Sequence, residues 1–164
     1  MISGEPASFL WLYLSAVVLA ATLIPLTLSD WRTHRLPDML TGALFLLGFL
    51  FVWAQHSMTY LDAMVGAAAG SGAFLVIRSV YCRLRHVEGL GLGDVKLMAG
   101  LGAWLGPAWL PQTVLIAAML GLAVVALQAV MARREISTSA PLPFGSYLCL
   151  SGFVVWCFKN FYVI

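Results

Sequence analysis

Six apolar runs, at residues 9–29, 39–54, 61–81, 95–110, 112–131 and 144–158, restrict this 164-residue sequence more than any other feature. In hydrocarbon every backbone N–H and C=O has to find its partner within the protein, so runs of this kind resolve into helices. One crossing takes about 20 residues, and six use most of the chain. What is left is too short for a soluble domain. Residues 1–164 therefore read as one integral-membrane domain, an all-α polytopic bundle of about six transmembrane helices. The second, fourth and sixth runs are short for a full crossing and are expected to extend into their flanks or stand nearly upright. No Lys or Arg precedes the first run, which is too long for the core of a cleavable signal, so the N-terminus is expected to stay as a helix.

Composition excludes other classes. Hydrophobic residues make up 62% of the chain and charged residues 10%, where a soluble domain carries about 25% charged. The mean hydropathy is +0.94. A soluble enzyme, a secreted disulfide scaffold and a disordered tail are all ruled out. The net charge of +2 and the lack of a basic stretch interleaved with aromatics argue against a nucleic-acid partner. The lipid bilayer is the first partner implied.

Basic residues set the orientation, because Lys and Arg collect in cytoplasmic loops. Arg32 and Arg35 follow the first run, Arg83 and Arg85 the third, with Arg78 and Lys96 on the flanks of that loop, and Arg133 and Arg134 the fifth. The N-terminal tail and residues 55–60 and 107–111 carry none. Eight of the nine basic residues thus put the odd-numbered loops in the cytoplasm and both termini outside, and Lys159 is the exception. Gly66-Ala67-Ala68-Ala69-Gly70 and Gly102-Ala103-Trp104-Leu105-Gly106 are small-xxx-small stripes, expected to let helix backbones touch within the chain, with a homodimer face as the alternative. The pattern sets no oligomeric state.

Charges near lipid are expensive and need a reason. Glu5 lies in the tail and Glu135 beside two arginines. Asp62 follows Thr59 in the spacing of a helix capping box. Asp30, Asp38, Glu88 and Asp94 all fall at the cytoplasmic boundary. Asp30 is expected to end the first helix and Asp94 to open the fourth, after Gly89-Leu90-Gly91-Leu92-Gly93. Two carboxylates on one membrane face suit acid–base hydrolysis. They share a proton, and one activates a water while the other protonates the leaving group. Gly91 and Gly93, without Cβ atoms, are expected to let an extended substrate approach the carboxylate beside them. The helix ends predict that Asp30, at a negative dipole end, holds the shared proton and that Asp94, at a positive end, is ionised.

At these residues the sequence resembles a known family. Ser29-Asp30-Trp31-Arg32-Thr33-His34-Arg35-Leu36-Pro37-Asp38-Met39-Leu40-Thr41 is similar to the first aspartate box of type IV prepilin peptidases. Gly91-Leu92-Gly93-Asp94-Val95-Lys96-Leu97 is similar to their GxGD box, and Pro143-Phe144-Gly145 to a further segment near the last helix. The resemblance covers nearly the whole chain. It implies an inner-membrane aspartyl endopeptidase that removes the short leader of type IV prepilins or type II secretion pseudopilins at the cytoplasmic face. Asp30 and Asp94 would be its catalytic pair, with Gly91, Gly93, Lys96, Asp38 and Arg32 in substrate-binding or supporting places. Lys96 and Arg32 also read as cytoplasmic anchors, and Asp38, after Pro37, as a cap of the second helix. Many full-length members carry paired Cys-x-x-Cys motifs and N-methylate their product. This chain has no Cys-x-x-Cys and no cysteine before Cys82, so neither a bound metal nor methyl transfer is expected, and no cofactor.

Other readings of the residues remain. Cys82 and His86 form at best half of a metal site, and Cys149 and Cys157 read as packing residues on one helix face. A small transporter would need charges near mid-span, and the acidic residues lie at the boundaries. A presenilin-type protease would have nine spans and a Pro-Ala-Leu motif. A non-catalytic membrane assembly factor would leave the aspartates inert in a cleavage assay.

Overall fold

The computed structural model describes residues 6–55, 58–85, 90–132 and 143–161. Six α-helices occur among these described residues: α1 (Pro6–Thr33), α2 (Asp38–Gln55), α3 (Tyr60–Arg85), α4 (Leu92–Leu105), α5 (Leu110–Ala132) and α6 (Phe144–Phe161). A short 3-10 turn, Pro107–Trp109, joins α4 to α5. No strand occurs among the described residues. Three stretches, Leu10–Thr33, Tyr60–Arg85 and Pro107–Met131, are long and apolar enough to cross a membrane. Leu10, Val17 and Ile24 on α1, Val76 on α3 and Leu122 on α5 are among the large apolar side chains that stay exposed. In water such a surface would drive association, whereas lipid solvates it.

The short α4 lies at the centre of the bundle. It packs against α3, α2 and α6, and α1 closes the core through α6 and α2. Most of α4 is buried, including Leu97, Met98, Leu101 and Trp104. The Trp104 indole N–H, buried with these residues, donates to the Leu44 carbonyl of α2 at 2.8 Å. A helix in this place is held by its neighbours on every side, so it need not be long or bounded by strong caps.

Small residues allow this. A Cβ on Gly66 would strike the Gly102 carbonyl oxygen, and a Cβ on Gly102 the Gly66 carbonyl oxygen, so α3 and α4 meet backbone to backbone. A Cβ on Gly70 would come within 2.8 Å of the Met98 oxygen. Both small-residue stripes therefore serve packing within the chain. The positive φ of Gly106, 77°, turns the chain off the end of α4, in a region that side chains rarely adopt. Gly102→Ala is expected to destabilise the detergent-solubilised protein by about 1–3 kcal/mol or more, because a backbone carbonyl cannot rotate aside. Gly72→Ala, where a Cβ would meet nothing within 4 Å, should leave the thermal midpoint within a degree or two of wild type. Equal midpoints for the two variants would contradict this packing.

Lys159 accounts for itself. Its ammonium donates to the Leu105 carbonyl at 3.0 Å, where the unsatisfied carbonyls and negative dipole end of α4 favour a cation. It caps the far end of the helix that carries Asp94. The capping box is present in one half: the Thr59 N–H donates to Asp62 Oδ2 at 3.3 Å. Cys82, Cys149 and Cys157 are all free thiols. His86, Glu5, Glu88, Glu135, Arg133 and Arg134 lie outside the described residues.

Candidate active site

Asp30 comes from α1, one turn inside its end. The helix runs on to Thr33, and His34, at φ 50°, closes it by donating its N–H to the Asp30 carbonyl at 2.9 Å. The expectation that α1 ends at Asp30 is thus corrected by one turn. The Ser29 hydroxyl donates to the Arg35 carbonyl at 2.9 Å, folding the following loop back over the helix end. Leu36 in that loop packs on the start of α4: a Cβ on Gly93 would lie 3.0 Å from the Leu36 Cβ. Gly93 therefore makes room for Leu36. Gly91 caps α4 with extended backbone, and a Cβ there would sit 3.7 Å from Asp94 Oδ2, an ordinary contact.

Asp94 stands in the first turn of α4. Both aspartates are buried, Asp30 at 5% exposure and Asp94 at 9%. They meet at the start of α6. A Cβ on Gly145 would lie 2.9 Å from Asp94 Oδ1 and 3.0 Å from Asp30 Oδ2. The two carboxylates thus face one another across the start of α6. Three helices converge there: α1 and α4 each bring a carboxylate, and α6 brings a residue with no side chain to obstruct them.

The start of α6 also holds Asp30 directly. The Ser146 N–H donates to Asp30 Oδ2 at 2.7 Å and its hydroxyl to the same oxygen at 3.0 Å. The hydroxyl lies within 3.2 Å of the Thr27 carbonyl as well. Asp30 thereby satisfies one of the N–H groups that a helix start leaves without an internal partner. Among residues that sequence reasoning passed over, Ser146 touches the pair most closely. Its one signal was its place immediately after Pro143-Phe144-Gly145.

The other charged candidates fall elsewhere. Lys96 and Asp38 pair with each other at 2.6 Å, tying α4 to α2 while remaining half to three-quarters exposed. The Asp38 carboxylate thus reaches across to α4 instead of closing on its own helix. Arg32 is exposed, and it is Ser146 that engages Oδ2 of Asp30. Arg78 of α3 donates to the Leu90 carbonyl, holding the segment that leads into Gly91-Leu92-Gly93-Asp94. No group of three metal-ligating side chains comes together among the described residues.

Comparison with known proteins gives the family. The model of the type IV leader peptidase family matches residues 17–126, a stretch that contains both aspartates. The chain belongs to the type IV leader peptidase family. It is 42% identical over 139 residues to the leader peptidase HopD of Escherichia coli, covering 85% of this chain and 89% of that protein. It is 39% identical over 150 residues to a prepilin leader peptidase/N-methyltransferase of Pectobacterium carotovorum, covering 90% of this chain and 51% of that protein. It is also 39% identical over 140 residues to a type 4 prepilin-like proteins leader peptide-processing enzyme of Escherichia coli, 49% of which is covered. The chain thus spans nearly all of the first relative and about half of the other two. No solved structure matches.

Proposed function

We propose that this leader peptidase family member is an aspartyl endopeptidase that removes the leaders of prepilins or pseudopilins, with Asp30 and Asp94 as its catalytic pair. The observation that carries the reading is the convergence of these two carboxylates, from helices distant in sequence, on one point beside Gly145. Family membership supplies the substrate class. Hydrolysis needs a water held between a base and an acid, and two buried carboxylates supply both, because close pairs retain one proton between them. No methyl-transfer step is assigned to these residues. Lys96, Asp38 and Arg32 stand within two residues of the aspartates or paired with such a residue, and form a charged rim for the polar leader. Co-expression with a candidate prepilin should convert it to a faster-migrating mature form on gels. Unprocessed prepilin beside well-inserted protein would favour a non-catalytic assembly role.

This reading needs the aspartates on the face where leaders lie. The Lys and Arg pattern supports a cytoplasmic-membrane protein with both termini outside, and Lys159, now a helix cap, no longer opposes it. Reporter fusions after Arg35, Arg85 and Arg134 should report cytoplasm, and fusions near His56 and Pro111 the outside. The inverse pattern would put the carboxylates out of reach of a cytoplasmic leader.

A further inference from the structure

The two aspartates are not equivalent in their surroundings. Asp30 Oδ2 accepts from a backbone N–H that can only donate, and from a hydroxyl, both belonging to Ser146. An oxygen engaged by two donors acts as an acceptor and is a poor place for a proton. Ser146 is itself buried, at 4% exposure. The hydroxyl has a second acceptor in reach, the Thr27 carbonyl at 3.2 Å. It therefore has somewhere to turn if the charge on Asp30 changes. Asp94 faces the same point from α4, with its Oδ1 toward Gly145, and its carboxylate accepts from one backbone N–H, that of Gly91, against the two donors on Asp30.

We propose that Ser146 is a positioning residue that divides the labour of the pair, making Asp30 the base toward water and leaving the shared proton on Asp94. The proposal rests on the reading of Asp30 and Asp94 as the catalytic pair. It reverses the assignment expected from the helix ends, because Ser146 at the start of α6 donates directly to the Asp30 carboxylate. In the first step water forms a bond to the scissile carbonyl carbon and gives a proton to Asp30. The carbonyl π pair moves to its oxygen, which takes the proton of Asp94. In the second step Asp94 recovers a proton from the tetrahedral diol, Asp30 passes its own to the leaving nitrogen, and the C–N bond breaks. The Ser146 hydroxyl turns toward Thr27 while Asp30 is protonated, then back.

The test uses the full chain in liposomes with a purified prepilin. Ser146→Ala keeps the N–H and removes the hydroxyl. It should lower kcat about tenfold, the size expected for one hydrogen bond to a charged group, and leave KM within twofold. A kcat within twofold of wild type, or a loss carried by KM, would overturn the role given to Ser146. Infrared spectra at neutral pH locate the proton independently of turnover. The protonated carboxyl band of the wild type should vanish in Asp94→Asn. Its persistence there would place the proton on Asp30 and overturn the assignment. Asp30→Asn and Asp94→Asn run in the same cleavage assay separate the two levels: full activity in either removes the pair itself, whereas their inactivity beside a normal Ser146→Ala removes only the division of labour.

Discussion

Asp30→Asn and Asp94→Asn should each lower leader cleavage by at least about a thousandfold, within the range for loss of a positioned acid or base. Asparagine keeps the volume of aspartate and an acceptor oxygen, so the bundle should still insert and the start of α6 keep a partner for the Ser146 N–H. What is lost is the capacity to hold or accept a proton. Asp62→Asn is the matched control. Asp62 works at the start of α3, where its carboxylate accepts from the Thr59 N–H, and its substitution should leave processing unchanged. Asp38→Asn breaks an exposed pair with Lys96, worth at most about 1 kcal/mol, and should cost only a few-fold in rate. A gel-based cleavage series over the four variants checks the ranking.

Gly145→Ala should be nearly as damaging, for a steric reason. The new Cβ would stand 2.9 Å from Asp94 Oδ1, 3.0 Å from Asp30 Oδ2 and 3.1 Å from the Asp30 carboxyl carbon. The first distance is shorter than real Cβ contacts and the other two are tight, so the buried carboxylates have to part by a few tenths of an ångström or α6 has to move back. The methyl would also occupy the space between the two oxygens. Overpacking of this kind costs about 1–3 kcal/mol of stability. A misplacement near 1 Å at reacting groups costs about a hundredfold in rate. Cleavage should therefore fall about a hundredfold or more while the thermal midpoint moves by only a few degrees. Near-normal cleavage by Gly145→Ala would mean that the carboxylates do not work at this point.

The aspartates were legible because charge is scarce in an apolar sequence, and every carboxylate invites a reason. The helices were legible for the same reason that their packing was not. When nearly all residues of a helix are apolar, periodicity does not mark the face turned inward. The glycine stripes did mark it for α3 and α4, and Gly66 against Gly102 is the result. No such mark pointed to Ser146, which meets Asp30 across 116 residues of chain. A serine in a membrane helix commonly bonds its own backbone, as Ser151 does to the Leu148 carbonyl. Lys96 and Asp38 looked like independent candidates until the fold paired them. The packing of Leu36 against Gly93 had no mark in the sequence either. The proposed move of the shared proton from Asp30 to Asp94 rests on a feature of the same kind, since helix ends in one's own chain segment are visible in sequence and those of a distant segment are not.

The central claim is that Asp30 and Asp94 together hydrolyse a leader bond, and mass spectrometry of a purified prepilin incubated with the purified chain in liposomes tests it most directly. The account predicts two fragments from the wild type, the leader and a mature protein beginning at its apolar helix, and intact prepilin with Asp30→Asn or Asp94→Asn. Fragments of the same masses from either variant would contradict it.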